Sequence, residues 1–140
     1  MQRGRRCARF DAAQLHRIMG CQMQDFHKLQ VWTKAHALTL RVYQETRGFP
    51  RDELYGLTMQ IRRAAASVPT NIAEGCGRSG PKELAHFCQI ALGSASELEY
   101  QFLLAKDLGY VDEASHQSLN GDATEVKRML TSFVARLREA

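Results

Sequence analysis

The sequence predicts an all-α fold, an antiparallel up-down-up-down four-helix bundle, and three observations carry that prediction. Four long segments repeat apolar residues at three- and four-residue steps. Almost nothing alternates with the period of two that a half-buried strand requires. The connections between the segments are short, which makes consecutive helices antiparallel neighbours.

The first helix is expected from about Lys28 to Arg47, with Val31, Ala35, Leu38 and Val42 on its inner face. Gly48 suits the left-handed position that ends a helix, and Phe49-Pro50 opens the next element. The second is expected from Pro50 to about Glu74 on Leu54, Leu57, Ile61, Ala64, Val68 and Ile72, with Asp52 and Glu53 complementing the helix dipole. Pro69 removes a backbone donor inside it and predicts a kink. After the loop Gly75–Gly80, Pro81 suits the first helical position, and the third helix reaches Leu108 before Gly109. Its inner face is Leu84, Phe87, Ala91, Ala95, Leu98, Phe102 and Ala105. The fourth runs from Asp112 to about Arg138 on Leu119, Ala123, Val126, Leu130, Phe133 and Leu137, continuous through Asn120-Gly121.

Length and composition bound the rest. With 140 residues, one domain can bury a core without staples. No apolar run approaches the roughly 20 residues that span a bilayer. Four cysteines, Cys7, Cys21, Cys76 and Cys88, include no CxxC pair, so reduced thiols in a cytoplasmic protein are expected. Residues 1–22 hold five arginines against Asp11 alone, and this basic extension accounts for the whole net charge of +4. Its expected status is a loose arm or a start assigned too early, with Met23 opening the periodic domain, residues 23–140, and a short helix near Ala12–Met19.

Three patterns invite chemistry. Gly75-x-Gly77-x-x-Gly80 matches the dinucleotide fingerprint, yet a helix precedes it where the fingerprint needs a strand, so a helix–helix turn is expected. Glu83-x-x-His86 and Glu113-x-x-His116 resemble half-sites of a di-iron bundle. Each lies at the start of its helix, and antiparallel helices place those starts on the order of 35 Å apart. No metal, cofactor or catalytic residue is therefore assigned. The stretch Ser67-Val-Pro-Thr-Asn71-Ile-Ala-Glu74 carries polar groups suited to the carbonyls that Pro69 frees, and Glu74 is expected to join Ser94 or Glu97.

Asp25-Phe-His-Lys-Leu-Gln-Val-Trp32, Lys34-Ala-His36, Tyr55-Gly-Leu-Thr58, Gln60-Ile-Arg-Arg-Ala-Ala65, Ser67-Val-Pro-Thr-Asn-Ile-Ala-Glu-Gly75 and Gly93-Ser-Ala-Ser-Glu-Leu-Glu99 occur in one order. Over residues 23–138 the chain resembles the bacterial 23S ribosomal RNA intervening-sequence bundle proteins. The resemblance implies a single non-catalytic bundle. It also implies a homo-oligomeric ring, because related proteins, the accessory proteins of diversity-generating retroelements among them, form five-subunit rings. The retroelement members bind nucleic acid.

Charge divides along the chain, nine basic and five acidic side chains in residues 23–82 against five and nine in residues 83–140. A nucleic-acid-binding accessory protein would use Arg41, Arg47, Arg51, Arg62, Arg63, Arg78 and Lys82 on RNA or DNA phosphates. The competing expectation is an oligomeric interaction scaffold without nucleic acid, positive half against negative half. No membrane and no small-molecule substrate are expected.

Overall fold

The computed structural model describes residues 24–140. The expectations for residues 1–22, Met23, Cys7, Cys21 and the segment Ala12–Met19 lie outside the described residues. Helix α1 spans Gln30–Glu45, α2 Leu57–Cys76, α3 Pro81–Asp107 and α4 Glu113–Glu139, and no strand occurs among the described residues. Each helix buries most of the stripe its periodicity announces. Val31, Ala35, Leu38 and Val42 of α1 meet Ile61, Val68 and Ile72 of α2, Leu98 and Phe102 of α3, and Leu119, Val126 and Leu130 of α4 in one core.

Cross-helix bonds fix the directions. Thr39 reaches Ala65 and Arg62 reaches Thr46, so α1 and α2 are antiparallel. Ser67 meets Ser94 across α2 and α3. Lys127 meets Glu99 and Arg138 meets Gln89 across α3 and α4. Arg41–Asp122 and Lys34–Glu125 close the square from α1 to α4. The four-helix up-down-up-down bundle is as the sequence predicts.

The differences lie at the ends of elements. Gly48 does not take the left-handed conformation; positive φ occurs at Gly80 (92°) and Gly109 (79°). The chain tightens instead into a 3-10 turn, Thr46–Gly48, and the Thr46 hydroxyl donates to the Val42 carbonyl (2.8 Å), which leaves no need for a glycine cap. Helix α2 starts at Leu57, seven residues later than expected. Pro50 leads only a 3-10 turn, Arg51–Glu53, and the Glu53 carboxylate accepts the Leu57 N–H (2.9 Å), starting the helix there. Leu54 consequently stays outside the helix and 49% exposed instead of entering the core. Phe87 is half-buried while Cys88 is fully buried, and Val134 replaces Phe133 in the α4 seam. At Gly109 the expected cap forms in full. Tyr110 N–H donates to Ala105 and Gly109 N–H to Lys106, both at 2.9 Å, the paired bonds of a Schellman end. Asp112 caps α4 through the Ser115 N–H (2.7 Å), and α4 runs unbroken through Asn120-Gly121.

Pro69 sits buried inside an unbroken α2. It has no N–H for the carbonyl four residues back, that of Ala65. Thr39 of α1 supplies the substitute: its hydroxyl lies 3.0 Å from Ala65 O and 2.9 Å from Ala35 O, one proton shared between two acceptors. Asn71 folds back on the Ser67 carbonyl (2.8 Å) and hydroxyl (2.9 Å). Glu74 joins neither Ser94 nor Glu97, because Arg78 one turn on holds it at the surface (3.0 Å). Thr39→Val is expected to lower stability by about 1 kcal/mol, since it leaves a part-buried carbonyl without its donor. Thr39→Ser should retain it. Urea denaturation of the two variants checks this, and equal midpoints would remove Thr39 from the account.

Candidate nucleic-acid interface

The fold scatters the seven cations singled out by sequence. Arg41 is tied to Ser118 (2.7 Å) and Asp122 (3.0 Å) in the α1–α4 seam. Arg62 is half-buried, donates to the Thr46 hydroxyl (2.8 Å) and lies 4.9 Å over the Tyr43 ring. Arg78 pairs with Glu74 and lies 5.1 Å over the Phe87 ring. Arg47, Arg51, Arg63 and Lys82 are exposed. Along α2, Arg62 and the last residue, Cys76, are fourteen residues apart, about 21 Å of helix, and Arg78 follows just beyond that end. Arg47 and Arg51 therefore sit at one end of the bundle, Arg78 and Lys82 at the other, and Arg63 on the flank.

Antiparallel packing redistributes the charge that the two sequence halves carry. The end formed by residues 45–53 and 106–113 holds Arg47, Arg51 and Lys106 against six carboxylates. The opposite end is formed by the start of α1, the α2–α3 loop and the finish of α4. It carries Lys28, Arg78, Lys82, Arg136 and Arg138 against four carboxylates. Gln24 itself is pinned to α2 by its N–H to the Cys76 carbonyl (3.0 Å). Lys28 and Arg136, far apart in sequence, line one groove of about 450 Å3 between α1 and α4, floored by Leu29, Val31, Met129, Phe133 and Leu137. A tally of charge by sequence halves does not bring Lys28, Arg136 and Arg138 together. The readable signal was the cationic last turn of α4, where the helix dipole favours positive charge.

The same end carries an aromatic column. Phe26 stacks on His27 (centroids 4.1 Å apart), Phe26 and His27 both lean on Trp32, and Trp32 lies nearly parallel to His36 (5.0 Å, 9°). The 3-10 turn Phe26–Lys28 places the first two rings, and four-residue spacing on α1 places the others on one side. Asp25 orients His27 by accepting from both its backbone N–H (3.0 Å) and its Nδ1 (2.8 Å). That pairing holds the Asp25 carboxyl below the usual carboxylate range.

The apolar surface is equally organised. Every exposed large apolar side chain among the described residues falls in one of two places. Leu40, Tyr43, Leu54, Tyr55 and Met59 crowd the corner between α1 and α2, beside Arg47, Arg51 and Arg63; Ile90, Tyr100, Leu103 and Leu108 follow α3, beside Glu97 and Asp107. Exposed α4 positions hold none.

The motifs that suggested chemistry resolve into structure. Gly75 is buried in α2, Gly77 ends it and Gly80 turns into α3. Glu83 and His86 lie at the start of α3, Glu113 and His116 at the start of α4, at opposite ends of the antiparallel pair. No three histidine, cysteine, aspartate or glutamate side chains among the described residues gather as metal ligands would. No described helix is long and apolar enough to cross a membrane. Cys76 and Cys88 are free and buried; burial pushes their thiols up to about 11 and about 12, with a lesser contribution from the charges beside them. Both are thus expected to resist iodoacetamide at pH 8 in the folded protein and to react once it is denatured. Peptide mass spectrometry reads this residue by residue, and rapid native labelling of Cys88 would contradict the packing.

The family model of the 23S rRNA-intervening sequence protein matches residues 27–132, from the aromatic column through the middle of α4. The chain belongs to that family. Among solved structures, this intervening-sequence protein is similar to a protein of unknown function from the S23 ribosomal protein family of Bacteroides thetaiotaomicron VPI-5482. The two share 24% identity with a TM-score of 0.70, over 75% of this chain and 95% of that one. That likeness shows the fold of the intervening-sequence protein. No curated protein matches it.

Proposed function

We propose that the protein is a nucleic-acid-binding accessory protein that works by binding, without catalysis, as a head-to-tail assembly of identical subunits. The observation that supports this reading is the separation of its surfaces: apolar side chains lie on two flanks, one edged by Arg47, Arg51 and Arg63 and the other by Glu97 and Asp107, and one end of the bundle gathers Lys28, Arg78, Lys82, Arg136 and Arg138. The apolar α1–α2 corner of one copy, edged by Arg47, Arg51 and Arg63, packs on the apolar α3 face of the next, edged by Glu97 and Asp107, a heterologous contact that closes into a ring when the rotation permits. Copies set side by side would turn every basic end to the same face. Several weak phosphate contacts then act together, and avidity follows from the number of subunits. Within this reading Arg78 and Lys82 keep the phosphate-contacting role, joined by Lys28, Arg136 and Arg138. Arg41 and Arg62 are committed to internal bonds.

Fluorescence anisotropy of a labelled structured RNA and of a DNA duplex against the full chain, at several salt concentrations, tests it. Affinity should fall steeply with salt. The triple variant Lys28→Ala, Lys82→Ala, Arg136→Ala should weaken binding and reduce the logarithmic salt slope by roughly two to three, one phosphate contact per cation. No binding at low salt would leave the assembly as a protein-interaction scaffold and end the nucleic-acid assignment.

A further inference from the structure

We infer that the aromatic column at the foot of α1 is a stacking site for unpaired nucleobases, so that the protein selects single-stranded over fully paired nucleic acid. This rests on the nucleic-acid reading and specifies which form is bound. The geometry is that of an open stack. Trp32 and Phe26 are half-buried against the core, which fixes the inner rings. His36 lies parallel to Trp32 and is exposed, so its outer face continues the stack into solvent. His27 is 67% exposed at the other side, its ring oriented by Asp25. The rings form two stacked pairs, Phe26–His27 and Trp32–His36, inclined to each other by 57–60°; a planar base laid on either imidazole extends its pair, and every base offers the π-face required. A base inside a duplex has both faces covered by its neighbours and cannot reach such a site without unstacking.

Phosphate contacts lie within reach of the same strand. Lys28 follows His27 directly, and Arg136 shares the adjacent groove with Lys28. Aromatic rings beside cations on one surface are the combination by which single strands are held without sequence readout. Core packing alone accounts for Trp32 and Phe26; it does not account for two exposed imidazoles placed on the outer faces of those rings.

The chain has a single tryptophan, which makes the site self-reporting. The full-length protein is titrated with a short oligouridine and with a fully paired RNA duplex of equal length, recording Trp32 emission and label anisotropy together. The oligouridine should quench Trp32 over the concentration range in which anisotropy rises, and the duplex should leave the emission unchanged. His36→Ala should weaken oligouridine binding roughly 5- to 150-fold, the range expected for loss of one stacked base, while leaving duplex affinity alone. Binding of the oligouridine without quenching, or with affinity unaffected by His36→Ala, would overturn the stacking site and leave the phosphate-binding role standing. Absence of any anisotropy change with either probe would overturn both. Circular dichroism of His36→Ala should match the unmodified protein, because the residue is exposed.

Discussion

Replacing Tyr100 with Arg is expected to convert the proposed head-to-tail assembly into monomers. Tyr100 is 62% exposed on α3, one turn from Leu103, and Glu97 lies one turn before it. An isolated subunit gains nothing from a large ring held out in water there. Buried against a neighbour's Leu40, Tyr43 and Met59, it would be the kind of aromatic anchor that dominates an interface, worth about 2 kcal/mol or more on truncation. Arginine also places a hydrated charge in the middle of an apolar contact, which must then be desolvated without a built partner. Together these should raise the dissociation constant by at least about 30-fold. Light scattering at micromolar concentration should show a multiple of the chain mass for the unmodified protein and one chain mass for Tyr100→Arg. Both should give the same helical circular dichroism spectrum. A variant that stays assembled would exclude α3 from the interface.

The second large effect concerns the fold. Gly75→Ala should destabilise the bundle by about 1–3 kcal/mol, although helix propensity alone favours the change by about 1 kcal/mol. Gly75 lies buried where α2 meets the first turns of α3. A Cβ there would stand 2.9 Å from the Leu84 Cδ1 and 2.9 Å from the Phe87 Cβ. Leu84 can swing its methyl away; the Phe87 Cβ moves only with the α3 backbone. The loop offers little slack, because Pro81 is the first residue of α3. Gly121→Ala is the matched control: it is an exposed helical site whose added Cβ meets nothing within 4 Å, so propensity should prevail there and raise stability. Urea midpoints with opposite signs for the two variants would confirm the close approach of α2 to α3.

How far the sequence could be read follows from what each feature depends on. The four helices were legible because each needs only its own periodicity, and Pro81, Gly109 and Asp112 marked ends that local chemistry decides. The start of α2 was not legible in the same way. It depends on the Glu53 side chain capping Leu57 after Gly56, an arrangement that competes with the better-known preference of proline for a first turn. The relief of Pro69 was misassigned to its own helix, since nothing local shows that Thr39, 26 residues earlier, faces the Ala65 carbonyl. Charge misled most. A tally by sequence halves treats Lys28 and Arg136 as members of opposing groups, yet antiparallel packing makes them neighbours in one groove. The imidazole at position 36 was readable as one turn from Trp32, but Phe26 and His27 enter the column only through a 3-10 turn that periodicity does not foretell.

The measurement that bears most directly on the account is a mixing experiment with two full-length variants. Tyr100→Arg spoils the α3 face and leaves the α1–α2 corner intact; Met59→Arg places a charge in the corner and leaves α3 intact, and the two introduced arginines repel rather than complement each other. Each should be monomeric alone. Mixed in equal amounts, they should form a dimer of twice the chain mass and nothing larger, because a head-to-tail contact needs one intact face from each and the pair has one of each to give. If the mixture stays monomeric while the unmodified protein assembles, the two faces do not meet each other. The head-to-tail contact proposed between them is then wrong.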